Sequence, residues 1–178
     1  MTSYGAKELA SAFRTVRKNT VQVAEDIPES KYTFVAAPDL RTVARMLTHV
    51  AISTRIGEEV HKKRLTTMVG FDFFGMMDRF NAEEAKTRSK AEILDLLQTE
   101  GEQFAAWLET LTPEILAETV TEPDGKTQKT RFERLLGVKE HEMHHRAQLM
   151  LIERQLGIVP HLTRRFNERV AQMRAARA

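Results

Sequence analysis

The sequence predicts an all-α protein: a four-helix bundle with long crossover connections and an accessory C-terminal helix. Three observations predict it. Only 8 Gly and 5 Pro interrupt the chain, and they fall between long stretches whose apolar residues recur every three or four positions. No segment shows period-two alternation bounded by turns, so no strand is expected. A chain of 178 residues suits one domain, 1–178, long enough to bury roughly 70% of its unfolded surface without staples.

The first helix follows from Leu9, Phe13, Val16, Thr20, Val23 and Ile27, which mark one face. Ser3 is a candidate cap, and Pro28 falls just past the end. Pro38 and Asp39 open a second helix running to about Arg64. It carries two adjoining apolar stripes, Val43/Leu47/Val50/Ala51 and Met46/His49/Ile52/Ile56, so it should be packed on more than one side. Periodicity breaks over residues 65–88, around Gly70, Gly75, Phe71, Phe73 and Phe74, with one short helix expected near residues 76–84. Ser89-Lys90-Ala91-Glu92 is a capping box that starts the third long helix. Ile93, Leu97, Phe104, Leu108 and Leu111 form its apolar face, and Pro113 follows it.

Glu122-Pro123-Asp124-Gly125 is a turn. The fourth helix spans about residues 130–156, with Leu135, Val138, His141, His145, Leu149, Ile152 and Leu156 on one stripe and Gly157 as its C-terminal stop. After Pro160 a shorter amphipathic helix places Leu162, Phe166, Val170 and Met173 on one side. Its arginines, 164, 165, 169, 174 and 177, read as a solvated face. About 24 residues separate helices two and three, enough to run back along a helix of roughly 35 Å. The two can therefore be parallel, joined by a crossover.

Composition excludes several classes. Cys 0 rules out a disulfide scaffold, thiolate zinc sites and a cysteine nucleophile. Lys+Arg 27 against Asp+Glu 25 leaves a net charge of +2, which gives no reason to expect nucleic acid as a partner. No apolar run reaches the ~18 residues of a membrane span. The start, MTSYGAKELA, lacks the basic-then-apolar layout of a signal peptide, so a cytoplasmic protein is expected.

The chemistry lies in the histidines. His141 and His145, four apart, project from one helix face one turn apart, close enough for two imidazoles to reach one metal ion. Both lie on an apolar stripe, where an imidazole must find a partner or cost stability. His49 sits on an apolar stripe near the middle of its own helix, as His141/His145 do near the middle of theirs. Midpoints of packed helices meet at one level, so three rings can converge. Three neutral nitrogens with a fourth position left open is the arrangement of a catalytic metal site. The alternative is three core histidines bonded to backbone or carboxylates.

His141-Glu142-Met143-His144-His145 also spells HExxH, the zincin signature, with Glu168 as a conceivable third ligand. That reading lacks a strand to hold a peptide, has Leu151 where a metzincin has its third His, and leaves His49 without a role. Glu142 then reads as a solvated carboxylate or one supporting the site. His144, turned about 100° from His145, and His61, among Lys62, Lys63 and Arg64, read as surface or supporting residues. His161 has no evident partner. Gln148, one turn from His145, either supports it or sits at the bundle edge. Phe71, Phe73, Phe74 and Phe80 either roof a pocket or pack the crossover.

"ARMLTHVA" in the second helix followed about ninety residues later by "HEMHHRAQL" resembles the DinB/YfiT-like superfamily of metal-dependent enzymes. "AEDIPESKYTFVAAPDLRTVARMLTHV" resembles its link between the first two helices, and "EPDGKTQKTRFERLL" its approach to the fourth. The resemblance runs from about Glu8 to Ile158. One departure is Ala147, where relatives often have Gly before the Gln, here Gln148. The resemblance implies that His49, His141 and His145 bind a divalent metal, zinc or nickel, in a four-helix bundle that tends to homodimerise. It also implies a small-molecule substrate and thiol-dependent transferase or isomerase chemistry with a low-molecular-weight thiol such as bacillithiol or mycothiol. A hydrolase using the same site, and a non-catalytic, stress-related metal-binding dimer, are the alternatives.

Overall fold

In a computed structural model, described for residues 4–177, the chain forms eight α-helices and one short hairpin. The first helix, α1 (Ala6–Asp26), starts from Gly5, whose amide donates to Glu8 Oε2 at 3.0 Å. Ser3, the expected cap, lies outside the described residues. The second predicted helix begins later than expected and is broken in two, α2 (Val43–Ile52) and α3 (Thr54–His61). Asp39 takes a φ of 66°, which keeps residues 38–42 out of the helix, and the Thr42 hydroxyl caps α2 instead. At the break, the Ser53 and Thr54 hydroxyls donate back to the Val50 and Ala51 carbonyls at 2.9 and 3.3 Å, competing with the backbone ladder.

The crossover contains α4 (Phe73–Glu84), capped by Asp72, which packs on α2. The next long helix, α5 (Lys90–Glu109), starts at the predicted capping box, where the Ser89 amide reaches Glu92 Oε2 at 2.7 Å. Pro113 does not merely follow it. It occupies the first turn of a short α6 (Pro113–Ala117). The expectation of no strand is corrected by β1 (Thr119–Thr121) and β2 (Gln128–Thr130), antiparallel about the Asp124-Gly125 turn. Three-residue strands are too short to show alternation. A second capping box, Thr130/Glu133, opens α7 (Arg131–Gln155), and α8 (His161–Ala175) closes the chain. Only the first turns of α8 dock. His161 is buried, while Phe166 and Met173, expected to pack, are exposed.

Contacts give the helix directions. Arg14 pairs with Glu102 while Lys90 reaches the Glu25 and Ile27 carbonyls, so α1 and α5 are antiparallel. Arg17 bonds both the Val50 and Leu97 carbonyls, and Arg55 pairs with Glu100, so α2–α3 and α5 run parallel. His61 meets Arg131 while His49 meets His141, so α2–α3 and α7 are antiparallel. The bundle therefore runs up-down-down-up, with the crossover joining the two parallel helices.

Its core falls into two main clusters. One gathers Val23, Ile27, Leu47, Val50, Ile93, Leu97 and Leu149 at the end nearer the histidines, and the other Leu9, Phe13, Phe104, Leu108 and Leu135. Between them sits a buried ion pair. Arg17 Nε lies 3.0 Å from both Glu142 oxygens, so Glu142 is neither solvated nor beside the histidines. Gly101 makes room for it, since a Cβ there would stand 2.7 Å from Arg17 Cγ. No helix among the described residues is long and apolar enough to cross a membrane.

Candidate metal centre

α2 places His49 on the bundle interior, and α7 brings His141 and His145 to the same level one turn apart. His141 Nε2 lies 3.1 Å from His49 Nε2 and 3.1 Å from His145 Nε2. Each of the three rings offers one nitrogen to a group whose atoms lie within 4.8 Å of one another. His49 is buried; His141 and His145 are half-buried. No fourth His, Cys or carboxylate joins the group among the described residues.

The outer ring nitrogens decide what the inner ones offer. His49 Nδ1 lies 2.6 Å from Glu84 Oε1, a carboxylate that only accepts, so the ring proton sits on Nδ1 and Nε2 keeps its lone pair. His145 Nδ1 lies 2.9 Å from Gln148 Oε1, an amide oxygen with the same effect. Two of the three nitrogens are thereby fixed as acceptors facing a third. Nitrogen lone pairs crowded together without a proton between each pair suit a cation, and neutral imidazole is the form that binds one. Burial pushes the His141 ring down to about 4, helped by the charges His145 and His49 would carry. Burial also lowers His145, against the bond to Gln148. The donor set therefore fits a divalent ion held by His49, His141 and His145.

Glu84 escaped the sequence analysis. Its side chain is fully buried at the end of α4 and holds His49 on one oxygen and Arg41 Nε, at 2.7 Å, on the other. Burial alone would raise its pKa, but the bonds from His49 and Arg41 outweigh it and keep the carboxyl below its ordinary value. A signal existed: Met76, Phe80 and Glu84 recur every four residues, so an acid sits on the apolar stripe of the predicted short helix.

The other candidates sort as follows. His144 is exposed, as expected, with Gln148 Nε2 3.3 Å away. His61, expected at the surface or beside the site, is buried away from the three rings, its Nδ1 3.3 Å from Arg131. The long side chains of Lys62, Lys63 and Arg64 mark an exposed corner, while His61 turns inward toward α7. His161 does have a partner, Asn19 Oδ1 at 3.1 Å. Glu168 is exposed on α8, so the HExxH reading lacks both its base and its third ligand. Phe80 packs in the core, whereas Phe73 and Phe74 are exposed and roof nothing. Beside His141 opens a cavity of about 220 Å³ whose walls include Ile56, Gly57, His61, Arg134, Gly137 and Val138.

Comparison with known proteins bears on the fold and the family. The chain is similar in fold to a DinB-like protein, YjoA, from Bacillus subtilis: 23% identity, 84% of this chain and 92% of that one covered, TM-score 0.63. It is also similar to YfiT from Bacillus subtilis, which is described as a probable metal-dependent hydrolase with an unusual four-helix bundle topology. There the identity is 20%, the coverage 89% of this chain and 91% of that one, and the TM-score 0.69. None of the curated proteins compared matches. A sequence model described as the DinB superfamily matches residues 12–149, from within α1 to the turn of α7 that follows His145. A match that reaches all four bundle helices and spans well over half the sequence settles its membership: the chain belongs to the DinB superfamily.

Proposed function

We propose that the chain is a metal-dependent enzyme that activates a thiol or water at His49, His141 and His145, of the thiol-dependent S-transferase type. The observation that carries the proposal is the convergence of three imidazole nitrogens, two of them fixed as acceptors by Glu84 and Gln148, with no fourth residue among those described to close the set. A divalent ion there supplies Lewis acidity, lowering the pKa of a thiol or water in its open position. Zinc or nickel suits imidazole donors and a soft thiolate. With Cys 0, the thiol comes from a low-molecular-weight cosubstrate rather than from the chain. The protein's own part is to hold the rings neutral and oriented: Glu84 keeps the His49 proton on Nδ1, and Arg41 keeps Glu84 ionised. A small-molecule substrate and a homodimeric state belong to this proposal through the family resemblance, and a cytoplasmic location is proposed with them.

Hydrolysis through activated water is the second reading, favoured by the likeness to YfiT, described as a probable metal-dependent hydrolase. The test of an open site is a cobalt-substituted sample titrated with mercaptoethanol and azide. The proposal expects both to change the visible spectrum, and chelation to leave the bundle helical by circular dichroism. A spectrum indifferent to both, with loss of helix on chelation, would identify a closed structural site and overturn catalysis.

A further inference from the structure

We propose that the cavity beside His141 is a subsite for a small molecule that ends a short apolar segment in an acceptor oxygen, a carbonyl or carboxylate. The inference deepens the proposed function by naming the substrate class, and its catalytic use rests on that reading. Three independent features support it.

The first is space. Gly137 stands well inside α7, where glycine is a poor helix former. A Cβ there would meet nothing within 4 Å, so no close neighbour demands the glycine. What the missing side chain preserves is the cavity. Gly57 across it differs, since its Cβ would press on Val138 and Phe104 at 3.3 and 3.4 Å.

The second is a fixed donor. Arg131 is held by Glu118 at 2.8 Å and the Leu65 carbonyl at 2.9 Å, and its remaining nitrogen faces His61 Nδ1. Arginine only donates, so His61 Nδ1 accepts and the ring proton sits on Nε2. Burial, with Arg131 and Arg134 nearby, pushes this ring down to about 4, so it stays neutral at pH 7. His61 is buried, at 4% exposure, yet its Nε2 makes no hydrogen bond to another described residue.

The third is the balance of the walls. Arg134 spends one of its two outer nitrogens on Glu122, and its Nε is buried with no partner. The lining contains no carboxylate, and Ser53 gives its hydroxyl proton to the Val50 carbonyl. Apolar surface from Ile56 and Val138 completes it. Such a wall has N–H groups in want of an acceptor and nothing to neutralise an amine.

The experiment uses hexanoate as probe and hexylamine as control, titrated into the full-length protein and followed by amide and imidazole NMR. Hexanoate should give saturable shifts at the Gly137 amide and the His61 ring, and hexylamine none there. Gly137→Leu should abolish those shifts with metal content unchanged. His61→Phe should weaken binding on the order of tenfold, the loss of about one hydrogen bond. Should Gly137→Leu not fold, His61→Phe decides the matter, undiminished hexanoate binding in it counting against the subsite. Equal binding of hexylamine, or hexanoate binding that survives in the Gly137 variant, overturns the proposal. Metal analysis of the same samples separates the two readings. Hexanoate in the cavity of a protein that binds no metal would sink the enzyme and keep the subsite, whereas full metal with no shift at Gly137 would do the reverse.

Discussion

Removing the carboxylate of Glu142 should cost the fold far more than it costs the metal centre. Arg17 on α1 takes both Glu142 oxygens from α7, and its other nitrogens reach the Leu97 carbonyl on α5 at 2.7 Å and the Val50 carbonyl on α2 at 3.1 Å. One guanidinium thus joins all four bundle helices, with the two side chains only 5% and 1% exposed. Glu142→Ala strands that cation in a dry interior. Breaking a buried pair in this way costs about 3–5 kcal/mol, a large share of the 5–15 kcal/mol by which domains are stable. At about 2–4 °C per kcal/mol for a chain of this size, the melting temperature should fall by roughly 6–20 °C. The double variant Arg17→Met/Glu142→Leu should recover most of it, because no charge is then left unpaired. Scanning calorimetry of the wild type, both single variants and the double variant closes the cycle. A Glu142→Ala melt within about 2 °C of wild type would refute the reasoning. Loss of metal from a well-folded Glu142→Ala protein would instead restore Glu142 to the site.

Glu84→Ala should lower metal affinity about 10–100-fold, since the His49 ring loses the partner that fixes its tautomer; an unchanged affinity by competitive chelator titration would leave Glu84 a purely structural role. Glu153 makes a pH prediction. Buried with neither oxygen bonded, it is pushed up to about 7, first by burial and then by Asp26. A carboxyl raised in the folded state favours folding below its unfolded value of 4.5 and loses that advantage as pH rises to about 7. Glu153→Gln should therefore gain on the order of 3 kcal/mol over wild type at pH 8 and nothing at pH 4, read from denaturant midpoints at both. A gain that does not depend on pH would show that Glu153 does not carry this proton.

The four long helices were legible because each commits a whole face to the core. Leu9, Phe13 and Val23 on α1, and Leu97, Phe104 and Leu108 on α5, are all buried as their spacing predicts. The three histidines were legible for the same reason, as polar residues at places a stripe reserves for apolar ones. Glu84 and Arg17 obey that rule too, but each interrupts its stripe alone, and their partners lie 35 and 125 residues away. Nothing local says whether such a residue finds a partner inside or reaches past the stripe to water. The α2–α3 break escaped because Ser53 and Thr54 are compatible with a helix until their hydroxyls turn back on it. His61 misled because its neighbours in sequence are cations at the surface, while its neighbours in space come from α7.

Metal content of the purified protein and of three alanine variants tests the central claim most directly. The wild type should carry near-stoichiometric divalent metal by elemental analysis, and His49→Ala, His141→Ala and His145→Ala should each lose most of it while remaining helical. Full metal content in His49→Ala, with loss in His141→Ala, would contradict a site built across α2 and α7.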